Sequence, residues 1–125
     1  MTTTKKATTL FSWVRDKIAY PAKTYKGSVK MATGTLSSKV ANCVDQSSLL
    51  ISMLRTAKIP SQYEHYKPCT FRSGLVVGHV WVSLYAGGKW VEVDTTSRSN
   101  SYGKIVNVVK KWNKVGPYII VPALR

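Results

Sequence analysis

Three side chains in this sequence have the types and setting for covalent chemistry. Cys43 stands in "ANCVDQSSLL", between an asparagine and a run of helix formers; His79 lies in "GHVWVSLY" and Asp94 closes "KWVEVD". A helix N-terminus favours a thiolate through its exposed N–H groups and the positive end of the dipole. Lowering an ordinary thiol pKa by about two units requires roughly 2.7 kcal/mol of preference for the thiolate. The dipole supplies under about 1 kcal/mol, so a nearby imidazolium must supply the larger share. A carboxylate bonded to one ring nitrogen of a histidine fixes the tautomer and leaves the other nitrogen free as a base. Together the three would make a nucleophile with its general base.

The same residue types allow other readings. Cys43 could be a small buried filler, since free cysteine is among the most buried residue types. It could pair with Cys69 in a disulfide, which would disable the chemistry. With His65, Cys69 and His79 it could hold zinc, although the set lacks a close CxxC or HxxxH pair. Cys69 is otherwise read as structural, in the loop before a hairpin, and His65 as a strand residue or part of the site lining. Asp45 suits the first turn of a helix electrostatically. Trp81 and Trp90 read first as core or site wall, and second as a substrate platform.

The hairpin "GHVWVSLYAGGKWVEVD" sets the geometry. Gly-Gly between two alternating runs signals a two-residue turn. Ala86 then faces Lys89, Tyr85 faces Trp90, Ser83 faces Glu92 and Trp81 faces Asp94. His79, Trp81, Ser83, Tyr85, Trp90, Glu92 and Asp94 share one side, and Val80, Val82, Leu84, Val91 and Val93 the other. His79 falls diagonal to Asp94, within reach of a hydrogen bond. A three-residue turn would put the two on opposite faces.

Other elements must bring the thiol to that pair. "TTLFSWVRDKIAY" places Leu10, Trp13, Val14 and Ile18 at helical spacing, with Thr8 or Thr9 as N-cap, and ends at Pro21. Residues 22–41 are small and polar and read as a long loop. Asn42 is a good N-cap, and Leu50, Met53, Leu54 and Ala57 fit a helix that Leu49 and Ile51 make apolar on most sides. Pro60 terminates it. "QYEHY" reads as a strand, "KPCTFRSGL" as irregular, "SRSNSYGKIVNVVKKWNKVG" as loop with a short helix, and "PYIIVP" as a last strand. Helices first and strands after predict an α+β domain with an antiparallel sheet.

The bulk numbers agree with one globular domain. The chain has 125 residues, 44% of them hydrophobic, enough for a core without staples. Residues 1–8 read as a polar lead-in and 9–125 as the domain. No apolar run spans a bilayer and "MTTTKKATTL" lacks the apolar stretch of a secretion signal. Nineteen Lys and Arg against five Asp and Glu give a net charge of +14, which attracts polyanions: nucleic acid, anionic membrane or an acidic wall polymer. The basic residues are scattered, with no long block and no recognised nucleic-acid motif. Two cysteines leave the redox compartment undetermined.

"NCVDQSSLLISMLRTAKIPSQY" and "GHVWVSLYAGGKWVEVDTTS" resemble the core of the transglutaminase-like cysteine enzymes. In that superfamily a helix-start Cys, a His opening one strand and an Asp ending the next form a triad. The spacings here, 36 residues from Cys43 to His79 and 15 from His79 to Asp94, fit it. "FSWVRDKIAY" resembles their lead-in helix. Within the superfamily, "NCVD", "YEHYKPCTFRSG", "GHVW" and "TTSRSNSYGKI…WN" resemble the pseudomurein endoisopeptidases of viruses and proviruses of methanogenic archaea, over roughly residues 9–122.

The resemblance implies a transglutaminase-like (papain-like) α+β fold, with the Cys-bearing helix on an antiparallel sheet. It also implies a cysteine peptidase that cuts the Ala–ε-Lys cross-link through Cys43, His79 and Asp94. In the oxyanion role it implies the backbone N–H of Cys43 and the side chain of Tyr20. Trp81, Asn100 and Tyr102 would bind substrate. No cofactor is needed for the chemistry, although some members are described as using a divalent cation, usually calcium. The implied partners are the wall peptide and its acidic polymer, with no specific nucleic acid and no membrane, and the chain is read as a monomer. Full-length members carry N-terminal wall-binding repeats that are not visible here, so the chain is expected to be the catalytic domain alone. Such an enzyme acts at the archaeal wall when a virus or provirus lyses its host. A transglutaminase using an amine acceptor, and a basic polyanion-binding module with a dead triad, are the rival expectations.

Overall fold

A computed structural model describes residues 2–21 and 31–120. Helix α1 (Thr3–Lys17) begins earlier than Thr8 or Thr9, because Thr2 caps it by accepting from the Lys5 N–H at 3.1 Å. The threonines of the polar lead-in are absorbed into the helix by bonding back one turn, Thr8 to the Thr4 carbonyl and Thr9 to that of Lys5, each at 2.8 Å. The buried stripe is Ala7, Phe11, Val14 and Ile18; Leu10 and Trp13 are only partly buried, so the helix is rotated from the predicted face.

Part of the expected 22–41 loop is also helical. Helix α2 (Met31–Ser38) has weak intrinsic propensity, with Gly34 at its centre, and is held from outside. The Asp45 carboxylate accepts from the Met31 N–H at 2.9 Å, and Thr35 donates to the Asp45 carbonyl at 3.4 Å. Residues 22–30 of that stretch lie outside the described residues. Helix α3 (Cys43–Thr56) follows, capped by Asn42 as expected and buried over most of its surface.

The sheet has strands β1 (Ser61–Phe71), β2 (Val76–Ala86), β3 (Lys89–Val93) and β4 (Val108–Lys111), in the antiparallel order β3-β2-β1-β4. β1 runs through the segment expected to be irregular and carries Cys69, which is therefore a strand residue. A register shift between Tyr66 and Cys69 accommodates Pro68, where a missing N–H is tolerated. The tail forms β4 rather than a helix. The predicted last strand reduces to a bridge between Tyr118 and Tyr63, with Val121 and Pro122 outside the described residues.

The hairpin register is the predicted one: Ala86 faces Lys89, Tyr85 faces Trp90, Ser83 faces Glu92. Gly87 and Gly88 take φ of +66° and +79°, the positive values a type I′ turn requires at both positions. Val80, Val82, Leu84, Val91 and Val93 pack with Val44, Leu50, Ile51 and Leu54 of α3 and with the buried stripe of α1. The domain is thus α+β, with α3 between the outer helices and the sheet. Among the described residues no helix is long and apolar enough to cross a membrane.

Candidate active site

The first turn of α3 is tied to its surroundings by three polar side chains. Asn42, extended at φ −77° and ψ −177°, accepts from the Asp45 N–H at 3.0 Å. Asp45 anchors α2, as above. Gln46 donates to the Ala41 carbonyl at 2.9 Å and accepts from the Thr95 hydroxyl at 2.7 Å. One side chain thereby joins the residues just before Cys43 to those just after Asp94. Cys43 itself is 5% exposed.

His79 is a β2 residue and Asp94 follows the end of β3. Their side chains meet at 2.7 Å, imidazole Nε2 to carboxylate Oδ2, and both are buried. Cys43 lies close enough to influence the imidazole electrostatically; with Nε2 engaged by Asp94, Nδ1 is the nitrogen left for sulfur. The second Asp94 oxygen accepts from the Thr96 N–H at 2.9 Å and the Thr96 hydroxyl at 2.7 Å. Rings hold the imidazole on either side, Phe71 edge-on at 4.8 Å and Trp81 tilted at 5.6 Å between centroids.

The electrostatics favour an ion pair. Burial works against the imidazolium, but the charge of Asp94, its hydrogen bond and the nearby Cys43 outweigh it and hold the His79 pKa up at about 10. Burial likewise works against the Asp94 carboxylate, and the charge and hydrogen bond of His79, with two bonds from Thr96, bring its pKa below the ordinary value. Tyr20 lies beside Cys43. Burial and the negative charge available to Cys43 and Asp94 raise its pKa, so the phenol stays protonated and remains a donor. Tyr20, Phe71, Leu75, Val77, His79 and Thr96 line an open groove of about 240 Å³. A thiol, an imidazole and a carboxylate in series, opening on a groove with a phenol donor at the sulfur, can form and hydrolyse a thioester.

Other expected site residues are placed elsewhere. Trp81 is 1% exposed, stacked on Tyr66 at 5.1 Å and bonded through Nε1 to Glu92 at 2.7 Å, so it walls the imidazole and offers substrate no face. Asn100 is buried beneath Asp94. It donates to the Asp94 carbonyl at 3.2 Å and the Asn107 side chain at 2.8 Å, and accepts from the Val106 N–H at 2.8 Å. It therefore braces a loop rather than meeting substrate. Tyr102 packs edge-on against Phe11, with its hydroxyl buried and without a partner. Asn100 is thus packed fully into the domain and Tyr102 in part.

His65 is buried on β1 beside Tyr118, its Nδ1 without a partner and its pKa lowered by burial, Lys67 and His79. Both cysteines are free, and burial pushes the Cys69 thiol up to about 11. No group of three His, Cys, Asp or Glu among the described residues could hold a metal ion. The zinc reading from Cys43, His65, Cys69 and His79 fails on that geometry.

Gln46, Thr95, Thr96 and Phe71 were not singled out from sequence. The detectable signals were a glutamine one turn into a helix expected to be buried on most sides and the "DTT" run, where hydroxyls follow a strand-ending aspartate.

The model of the Transglutaminase-like superfamily matches residues 1–95. No curated protein matches in sequence. Among solved structures, the chain is similar to a protein from Cytophaga hutchinsonii provisionally named a cysteine protease. The TM-score is 0.62 and the identity 19%, over 78% of this chain and 34% of that one, so the likeness is one of fold and spans about a third of that protein.

Proposed function

The chain belongs to the transglutaminase-like superfamily, and from that premise we propose that it is a cysteine endoisopeptidase that hydrolyses the Ala–ε-Lys cross-link of archaeal pseudomurein. The observation that carries the enzymatic part is the buried series Cys43–His79–Asp94, with imidazole and carboxylate at 2.7 Å. The narrower substrate is supported by the likeness of "CTFRSG" and "SNSYG" to the pseudomurein group, and by a net charge of +14 suited to an acidic wall polymer.

In this mechanism the Cys43 thiolate attacks the alanine carbonyl, and the oxyanion is received by the Cys43 N–H and the Tyr20 hydroxyl. Tyr20 lies beside Cys43, which supports its hydroxyl as the second donor. His79, held as imidazolium, donates its Nδ1 proton to the leaving lysine amine, and the C–N bond breaks to give the thioester. The now neutral imidazole takes a proton from water, whose hydroxide displaces the thiolate and releases the alanine carboxylate. Asp94 orients the ring throughout and stabilises its charged form. The same thioester would serve an amine acceptor. The enzyme would act at the wall of a methanogen during lysis by a virus or provirus.

The test is release of amine from an Ala–ε-Lys isopeptide, and lysis of pseudomurein-walled cells, by wild type against Cys43→Ala. Activity in the first and none in the second is expected; equal activity ends the enzymatic reading. Hydroxylamine in place of water separates the outcomes, since hydroxamate formed to the exclusion of free alanine would make the protein a transferase.

A further inference from the structure

We propose that β4 and the flanking residues of β1 form a docking strip for an anionic polymer, and that this polymer is the acidic glycan-peptide strand bearing the scissile bond. The inference rests on the wall-directed reading above and goes beyond it by assigning the surface.

The first observation is an unneutralised row of cations. Lys67, Arg72, Lys110 and Lys111 are all exposed. Two backbone bonds bracket the row, Lys67 N–H to the Asn113 carbonyl and Arg72 N–H to the Asn107 carbonyl, each at 2.9 Å. From Asn107 to Asn113 an extended chain covers about 20 Å. Among the described residues the five carboxylates, all of them side chains, are engaged elsewhere: Asp16 with Arg15, Asp45 with the Met31 N–H, Glu64 with Ser83 and Lys114, Glu92 with Trp81, and Asp94 with His79. Lys110 sits over Trp112 and Lys111 over Tyr66 and Trp81, so this edge of the sheet is positive on both faces.

The second observation is a rigid aromatic within the row. Trp112 is 51% exposed, yet its Nε1 donates to the Thr70 hydroxyl at 2.8 Å and the Lys110 ammonium sits 3.6 Å from its ring centroid. A half-exposed ring held this way meets a partner with little loss of side-chain freedom. Val109, 59% exposed, extends the apolar surface, and β4 ends the sheet, so its outer backbone groups face away from other strands.

The third observation is continuity with the groove. Phe71 and Asn107 line it and also begin the strip, Phe71 as the β1 partner of Val108 and Asn107 as the residue preceding β4. A strand whose cross-link enters the groove therefore has the cationic edge along its path. One aromatic with a ring face already covered by lysine suits a saccharide ring beside acidic groups. Single-stranded nucleic acid would call for successive stacking platforms.

The experiment compares Arg72→Glu/Lys110→Glu with Lys5→Glu/Lys6→Glu, which makes the same change of net charge on exposed positions of α1. Trp112→Ala is the third variant. Binding to purified pseudomurein is measured by co-sedimentation at low and physiological salt, and turnover on a soluble Ala–ε-Lys isopeptide. The strip variant should lose tenfold or more in wall binding and the α1 control under twofold. Trp112→Ala should lose severalfold at both salt concentrations, while soluble turnover stays within twofold for all. Equal losses in strip variant and control would assign binding to diffuse charge and overturn the proposal. Undiminished wall binding by the strip variant, or tighter binding of duplex DNA than wall through the same residues, would also overturn it. A wild type that binds wall but leaves the soluble peptide intact would sink the isopeptidase reading and not the strip.

Discussion

The two faces of the β2–β3 hairpin share one register and one set of backbone bonds, yet they hold their side chains by different physics. On the inner face Val80, Val82, Leu84, Val91 and Val93 are fixed by volume alone, against α1 and α3. On the outer face His79, Trp81 and Ser83 each have a directional partner: Asp94 at 2.7 Å, Glu92 at 2.7 Å and Glu64 at 2.6 Å. Apolar packing tolerates exchange among residues of similar size, because dispersion has no direction. A buried hydrogen bond between charged groups tolerates almost none, because the group left behind has no water to turn to. One face should therefore answer to stability measurements and the other to activity.

The largest test of that division lies at the sulfur the outer face serves. Cys43→Ala should lower turnover of an Ala–ε-Lys peptide by about 10⁴-fold or more, while the urea midpoint stays within error of wild type. A midpoint that falls with the activity would make Cys43 a packing residue and erase the distinction.

Asp94→Asn should then disturb both quantities, since it breaks a buried pair while keeping its shape. A loss of about 3–5 kcal/mol is expected near neutral pH, with a drop in turnover. Its pH dependence follows from the raised imidazole and the lowered carboxylate. Folding favours the imidazolium, a contribution complete below pH 6.5 and lost as pH rises through about 10. The Asp94 contribution is present above the ordinary carboxylate range and lost as pH falls through and below it. The stability gap between wild type and Asp94→Asn should therefore be widest between those limits and close towards each. A gap independent of pH would deny the ion pair.

On the inner face, Leu84→Ala should cost about 3 kcal/mol by opening a cavity and leave kcat/KM within twofold well below the unfolding midpoint. A large loss of activity at unchanged stability would show that the faces are coupled. The smallest expected effect concerns the strut between α3 and the segment after β3. Gln46→Leu should cost about 1–2 kcal/mol and lower kcat more than it raises KM. In a double-mutant cycle with Thr95→Val the two changes should be less than additive, because they share the 2.7 Å bond. Full additivity would mean the strut carries no coupling.

Much of the site was legible because its determinants are short in sequence. Gly87-Gly88 set the turn, the alternation set the faces, and His79 fell diagonal to Asp94. Asn42 announced the start of α3 one residue before Cys43. The misreadings share a cause. α2 forms from a segment with little helical preference because a carboxylate from α3 caps it. β4 is four residues with two lysines and becomes a strand by pairing with β1. Asn100 and Tyr102 looked accessible in a polar loop, and only packing shows Asn100 beneath Asp94 and Tyr102 against Phe11.

The amino-acid order by itself determined the cap, the turn, the hydrophobic stripe of α3 and the facing of each hairpin residue, because those depend on sterics and bonding within a few residues. Tertiary structure alone decided that Cys43 lies near the His79–Asp94 pair, that Gln46 bridges to Thr95 and that, among the described residues, the lysines beside Trp112 have no acid to neutralise them. Each of those joins residues dozens of positions apart, and only the packing of helices on the sheet sets the distance between them.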